Sequence, residues 1–337
     1  MKLQRFPPGC EQPIPTPVMD CYWHFAAERQ DIYQRRLEGC PYPWTTDPIL
    51  SKYRFTNVYR VTDRVSQYLL KNVIYDAQYS TVDLFFRILL FKLFNKIDTW
   101  ELLQSAFGEL TFEHYKFSRF DQILTDAIAS GRRIYSAAYI MPSGGKQYER
   151  KHRAHLGLLE KMISDEAPKK LADMPTMREA FLFLKSYPML GDFLAYQYVT
   201  DLNYSDLTHF SENEFVVAGP GARSGLSKCF STLGTFSNED AIRWVAERQD
   251  LEFSKRGLTF NFLGGRRLQL IDCQNLFCEI DKYSRVRFPD VVGNSGRKRI
   301  KQNFSAGSQA SPPFFPPKWG IEYHSAETLQ TKTARAG

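Results

Sequence analysis

Asp272, Asn275 and Glu279 are spaced three and four residues apart, so a helix would carry them on one face. The stretch Asp272-Cys273-Gln274-Asn275-Leu276-Phe277-Cys278-Glu279-Ile280-Asp281-Lys282 is unusually polar for one flanked by Leu268, Leu270 and Ile271. The amides of Gln274 and Asn275, and that of Asn57 further upstream, have the donors and acceptors to read a base edge. Glu279 has the chemistry of a general base, with Asp281 and Asp272 as neighbouring carboxylates, and Lys282 that of an anion holder. A polar capping network inside the fold would use the same residues.

Three more segments have anion chemistry. Arg60, Asp63 and Arg64 stand one helical turn apart, which would set two guanidinium groups around a carboxylate. That suits a phosphate or pyrophosphate clamp, and equally a salt-bridge network. Gly219-Pro220-Gly221, with Arg223 and Lys228 following, reads as a loop with free N–H groups at a helix start, an anion nest or an ordinary helix turn. Tyr187-Pro188-Met189-Leu190-Gly191, then Asp192 to Tyr196, reads as a helix ending at proline, a turn at Gly191 and a second helix. Such a hairpin offers N–H groups to a DNA phosphate, or is a plain packing corner.

Other chemistries are excluded by spacing. Ser143-Gly144-Gly145-Lys146-Gln147 lacks the first glycine and the hydroxyl of a phosphate-binding P-loop. His152 and His155 lie three apart with no carboxylate or third histidine to complete a metal set, so neither metal nor cofactor is expected. The six cysteines form no CxxC pair and read as reduced thiols.

The elements that must position these residues are helices. Val58, Val61, Val65, Tyr68 and Leu69 recur at helical steps from Tyr53 onward. A helix from Ser80 or Thr81 to about Asn95 has Asp83 in its first turn and is apolar nearly all round, which puts it at the centre of a fold. Further helices are expected from Asp98 or Thr99, over Glu113–Ser130, and near 150–164, 176–186, 191–202, 222–232, 238–253 and 268–283. Glu214–Ala218 is a candidate extended piece, and no alternating strand series is present. Residues 1–50 hold eight of the prolines and read as an arm with one helix, roughly Trp23–Leu37, wrapping the outside. Residues 51–303 form the helical domain. From Gly293 the chain turns basic, and 304–337 reads as an irregular tail. The class is all-α.

With 337 residues, 43% hydrophobic and 15% aromatic, the chain can bury a sizeable core. A net charge of +7 is compatible with a polyanionic partner. The start, Met1–Cys10, has no apolar run of a secretory signal, and Leu84–Phe94 carries Arg87 and Lys92, so neither export nor a membrane span is expected.

Taken in order, YRFTNVYRVTDRVSQYL (53–69), FFRILLFKLFNKIDTWE (85–101), LGDFLAYQYVTDLNYS (190–205), FVVAGPGARSGLSKCF (215–230) and LQLIDCQNLFCEIDKYSR (268–285) resemble the alpha-glutamyl/putrescinyl thymine pyrophosphorylases. They are also similar to the helical domain attached to 5-hydroxymethyluracil DNA kinases. The resemblance implies a divergent helix–hairpin–helix DNA glycosylase-like fold. It implies DNA hypermodification, in which putrescine or an amino acid displaces pyrophosphate from the 5-methylene carbon of a pyrophosphorylated 5-hydroxymethyluracil. The partners implied are DNA, an amine co-substrate, and a 5-hydroxymethyluracil DNA kinase and thymine hydroxylase of the same pathway, inside a cell. Arg60, Arg64, Gly219, Gly221, Arg223, Lys228 and Lys282 would hold the pyrophosphate, and Gly191 the DNA backbone. Where glycosylases of that fold carry an aspartate after the hairpin, this chain has Phe215–Gly221 with no carboxylate, which disfavours base excision. A non-catalytic reader of modified or damaged DNA and a divergent glycosylase are the alternatives.

Overall fold

The structure is a computed structural model and describes residues 9–145, 148–307 and 311–321. The chain is mainly helical. Its helices are α1 (Pro17–Leu37), α2 (Pro48–Lys52), α3 (Arg64–Leu69), α4 (Thr81–Phe94), α5 (Ile97–Phe107), α6 (Phe117–Ala129), α7 (Lys151–Ser164), α8 (Ala167–Ala172), α9 (Met177–Lys185), α10 (Asp192–Leu202), α11 (Pro220–Cys229), α12 (Asn238–Lys255) and α13 (Leu270–Arg287). Two short antiparallel strands, β1 (Ile14–Pro15) and β2 (Phe230–Thr232), make the sheet among the described residues. The chain divides into two compact units: residues up to Asp63 together with those from Val216 onward, and Arg64–Phe215 between them.

The first unit is built on α1, α11, α12 and α13. Helix α1 begins six residues before the expected Trp23. Pro17 occupies its first turn, where no N–H is missed, and Thr16 caps it by accepting from the Val18 N–H at 3.2 Å. The proline-rich arm was expected outside the core, but Tyr22, Trp23, Phe25, Ala26 and Tyr33 of α1 are buried. The Tyr22 ring packs against Phe277 of α13 with centroids 4.8 Å apart. The prolines punctuate the start of a core helix instead of excluding one. Helices α11 and α13 cross closely at Gly225, where an added Cβ would lie 1.9 Å from the Phe277 carbonyl oxygen. Gly221 meets Cys278 in the same way, at 3.0 Å from its Sγ, so both glycines have a packing reason. Part of the expected irregular tail is ordered: Phe315 is buried and Arg266 stacks on the Trp319 ring at 3.7 Å.

The second unit surrounds α4, whose inner residues from Phe85 to Phe94 are all buried, as its all-round apolar sequence requires. Ser80 caps it through the Asp83 N–H, and Asn95 ends it in the left-handed region. The charges inside it are paired: Lys92 with Asp201 at 3.1 Å, Arg87 with Asp76 at 2.8 Å. The helix expected across Val58–Leu69 is broken instead into a 3₁₀ turn at Arg60–Thr62, α3, and a π turn at Leu70–Ile74. Helix α6 starts at Phe117, later than expected, α8 was not anticipated, and Glu214–Ala218 pairs with no strand. No helix among the described residues is long and apolar enough to cross a membrane.

Candidate functional site

In the first unit, the loop 54–63 lies along α13. The Thr56 N–H donates to Glu279 Oε2 at 3.0 Å, the Arg60 N–H to Asp272 Oδ1 at 2.9 Å, and Lys282 Nζ to the Arg54 carbonyl at 3.1 Å. The helical face Asp272, Asn275, Glu279, Lys282 is therefore formed, and it meets Arg54, Thr56 and Arg60. Glu279 is almost fully buried and also pairs with Lys282 at 2.8 Å.

Two further residues, Arg29 and Asp63, complete this cluster, and the sequence alone places neither at the reacting centre. Arg29, buried in α1, donates to the Thr56 carbonyl at 3.1 and 3.2 Å and to Asn57 Oδ1 at 3.0 Å. Burial lowers its pKa to about 10, against the raising effect of Asp63 and Glu279. Asp63 Oδ1 accepts the Asn57 N–H at 2.9 Å. Enclosure by protein atoms pushes the Asp63 carboxyl up to about 7. The Asn57 N–H opposes this, the negative charge of Glu279 adds to it, and Arg60 and Arg29 offset only part of it. Asp63 keeps some accessible surface. A partly accessible carboxyl that exchanges its proton near neutrality beside a second carboxylate is suited to acid–base work. The signal for Arg29 was legible: it sits on one helical stripe with Tyr22, Phe25, Ala26 and Tyr33, and a charge there needs a buried partner.

Asp281 does not join this cluster. Its carboxylate accepts from Ser224 Oγ at 2.8 Å, pairs with Lys228 Nζ at 3.0 Å, and contacts Arg285. Burial raises the Asp281 carboxyl, but these donors outweigh it and hold it below the usual carboxylate range. Lys228 also donates to Ser284 Oγ at 3.0 Å. Both residues are thus committed to a buried network between α11 and α13. Asp272 is the third residue of α13 and belongs to the capping box that opens it, accepting the N–H of the N-cap Gln269 at 3.0 Å as well as that of Arg60. Of the amides, Asn57 is fully engaged, its Nδ2 donating to the Thr62 carbonyl at 3.0 Å. Gln274 is buried, with Nε2 3.3 Å from Cys278 Sγ and Oε1 unpartnered. Asn275 is half-buried, and its amide has no protein partner among the described residues.

The anion candidates fall in both units. Arg223 is exposed and donates to the Ala218 carbonyl at 2.9 Å, beside the Gly219–Gly221 start of α11. Glu239 accepts the Ala218 N–H at 2.8 Å, so a carboxylate already stands near that helix start. Arg64 opens α3 in the second unit. Also in the second unit, the hairpin α9–turn–α10 is present, but Gly191 has φ −79° and ψ 178°, open to any residue. The left-handed residue is Met189. Asp192, in the first turn of α10, pairs with Lys185 at 2.6 Å and weakens the N-terminus as a phosphate site. Of Ser143–Gln147, Lys146 and Gln147 lie outside the described residues.

Two cavities of about 520 and 500 Å³ share Cys21, His24, Asp47 and Tyr283; neither is lined by Arg29, Asp63 or Glu279. Asp47 there caps α2 and accepts from the Tyr283 hydroxyl at 2.5 Å. The six cysteines are free. Burial pushes the thiol of Cys21 up to about 11 and that of Cys278 to about 12, which leaves both as poor nucleophiles.

A family model described as "5-hmdU DNA kinase, helical domain" matches residues 16–293. The curated 5-hmdU DNA kinase of Bacillus phage SP10 is 27% identical over 287 residues, covering 79% of this chain and 45% of the relative. The chain thus spans about half the length of that relative. No solved structure matches.

Proposed function

The chain belongs to the family of the 5-hmdU DNA kinase helical domain, and from that premise we propose that it acts in the hypermodification of thymine in DNA. The observation that carries this reading is the match over 16–293, which contains Arg29, Asn57, Asp63, Asn275, Glu279 and Lys282. The finer proposal is a transfer in which an amine such as putrescine or an amino acid attacks the 5-methylene carbon of a pyrophosphorylated 5-hydroxymethyluracil. The C–N bond forms, the C–O bond breaks, and pyrophosphate leaves with the electron pair. The attacking amine gives up a proton, and Glu279, or Asp63 in its ionised form, is placed to take it. Lys282 pairs with Glu279 and is the proposed holder of the leaving anion there. Arg223 is exposed beside the amides of Gly219 and Gly221 and offers a second anion site, whereas the Arg60 side chain is fully buried. Lys228 acts indirectly, by fixing Asp281. Asn275 is the supported base contact, and the target base has to leave the stack to reach it. The glycosylase-like helix–hairpin–helix arrangement, a place inside the cell with DNA, and a kinase and hydroxylase acting earlier on the same base belong to this proposal.

A second reading is a reader of modified DNA. It is favoured by one feature: Asp272 and Glu279 both spend an oxygen on backbone N–H groups. The test is incubation of pyrophosphorylated hydroxymethyluracil DNA with candidate amines, followed by pyrophosphate release and nucleoside mass analysis. An amine adduct supports the transferase. Binding with no product under any amine supports the reader, and free modified base supports a glycosylase.

A further inference from the structure

The run Arg297-Lys298-Arg299-Ile300-Lys301 lies just past the family match, and the cluster above makes no use of it. All four of its cations are exposed, and among the described residues none of their side chains has a hydrogen bond or ion pair. A basic run on a loose tail would be a solvated segment. This one is fastened at both ends. Before it, Gly293 passes so close over α11 that a Cβ would lie 2.6 Å from Ser224 Oγ. The Asn294 N–H donates to Ser227 Oγ at 3.3 Å and the Ser295 N–H to Ser224 Oγ at 3.2 Å. Gly296, at φ +60°, turns the chain. Within the run, Arg285 donates to the Arg299 carbonyl at 3.1 Å. After it, the Arg54 N–H donates to the Gln302 carbonyl at 3.0 Å and the Phe304 N–H to the Lys52 carbonyl at 2.9 Å. The strap therefore holds four unpaired cations against the first unit and adds Lys52 and Arg54, both exposed, at its end.

Unpaired like charges on a fixed backbone repel one another, and a polyanion relieves that repulsion. We propose that the strap 293–304 is a binding surface for the phosphodiester backbone of duplex DNA, holding the duplex against the unit that carries Glu279. The surface is read from charge and anchoring; naming the polyanion as DNA rests on the function proposed above.

The test uses the full chain and unmodified duplex DNA, so it does not depend on turnover. Arg297, Lys298, Arg299 and Lys301 are all changed to Gln. A control changes four exposed cations of the second unit, Arg132, Arg133, Lys169 and Lys170, to Gln, removing equal charge. Affinity is measured against salt for each protein, with circular dichroism to show that the fold is kept. The strap variant is expected to lose about 0.9 in the slope of log K against log salt for each phosphate contact removed, and the control to lose little. Equal losses in both, an unchanged slope in the strap variant, or tighter binding of the unaltered chain to single-stranded RNA or to anionic lipid vesicles than to duplex DNA would overturn the proposal. If the strap effect is present and no modified base is formed, the surface stands and the transferase reading fails.

Discussion

The Asn57 N–H donates to Asp63 Oδ1 at 2.9 Å, and this bond closes residues 57–63 into a loop around a carboxyl. The loop leaves Asp63 with the extended backbone φ −65°, ψ 146°, so no helix runs through it. It also brings Asp63 within the field of Glu279 and Arg29.

Asp63→Asn tests whether that carboxyl titrates near neutrality. The folded pKa, about 7, lies above the ordinary value of 3.8. Between these two pH values the folded chain holds a proton that the unfolded chain has lost. Stability from this group is full below about pH 4, falls as pH rises through 7, and is then flat. Melting curves from pH 4 to 8 should show a decline in the unaltered protein that is absent in Asp63→Asn, which can keep the Asn57 bond through its amide oxygen. Parallel curves would place the proton elsewhere. If Asp63 takes the amine's proton, a limb near pH 7 in the rate profile should also vanish.

Arg29→Met should be more disruptive than its position in an N-terminal segment implies. It removes the donors to the Thr56 carbonyl and Asn57 Oδ1 and leaves Asp63 and Glu279 as neighbouring carboxyls with less opposing charge. Loss of one partner in a buried charged network costs roughly 3–5 kcal/mol. The Asp63 carboxyl should also titrate higher. A denaturation midpoint within error of the unaltered protein would contradict this placement.

How much of this could be read from the chain differs by element. Helix α4 was legible because Ser80, Asp83 and Asn95 mark its ends and its middle is apolar. The face Asp272, Asn275, Glu279, Lys282 was legible because helical spacing fixes it. The break at Asp63 was not, because Val58, Val61, Val65 and Leu69 keep a helical rhythm across it while a side-chain bond to Asn57 overrides the pattern. Asp281 looked equivalent to Glu279 on spacing alone. Its partners Ser224 and Lys228 lie more than fifty residues away, and only the α11–α13 crossing reveals them.

Gly225→Ala and Gly191→Ala should differ sharply. A Cβ at Gly225 would stand 1.9 Å from a backbone oxygen of α13, which cannot yield as a flexible side chain would. Overpacking of this kind costs about 1–3 kcal/mol or more. At Gly191 a Cβ meets nothing within 4 Å, so the change should cost no more than about 1 kcal/mol, through helix capping. Thermal melts of the two variants side by side check the contrast, and similar losses would contradict it.

Glu279→Gln and Asp281→Asn separate chemistry from architecture within one helix. Asp281 is held by Lys228, Ser224 and Arg285 with almost no exposure. Neutralising it leaves two buried cations short of their counter-charge, and the expected result is a stability loss of roughly 3–5 kcal/mol. Activity per folded molecule should be little changed at low temperature. Glu279 also supports structure, but a glutamine there can still accept the Thr56 N–H, so its stability loss should be the smaller of the two. Its loss should fall on the rate, roughly 100- to 10,000-fold if it is the general base. That deficit should shrink as pH rises and more of the amine is already neutral. Single-turnover rates across pH 7 to 10, set beside chemical denaturation of both variants, resolve the two cases. A Glu279→Gln rate equal to that of the unaltered protein would move the base to Asp63, and a rate deficit independent of pH would assign Glu279 to positioning the 54–63 loop.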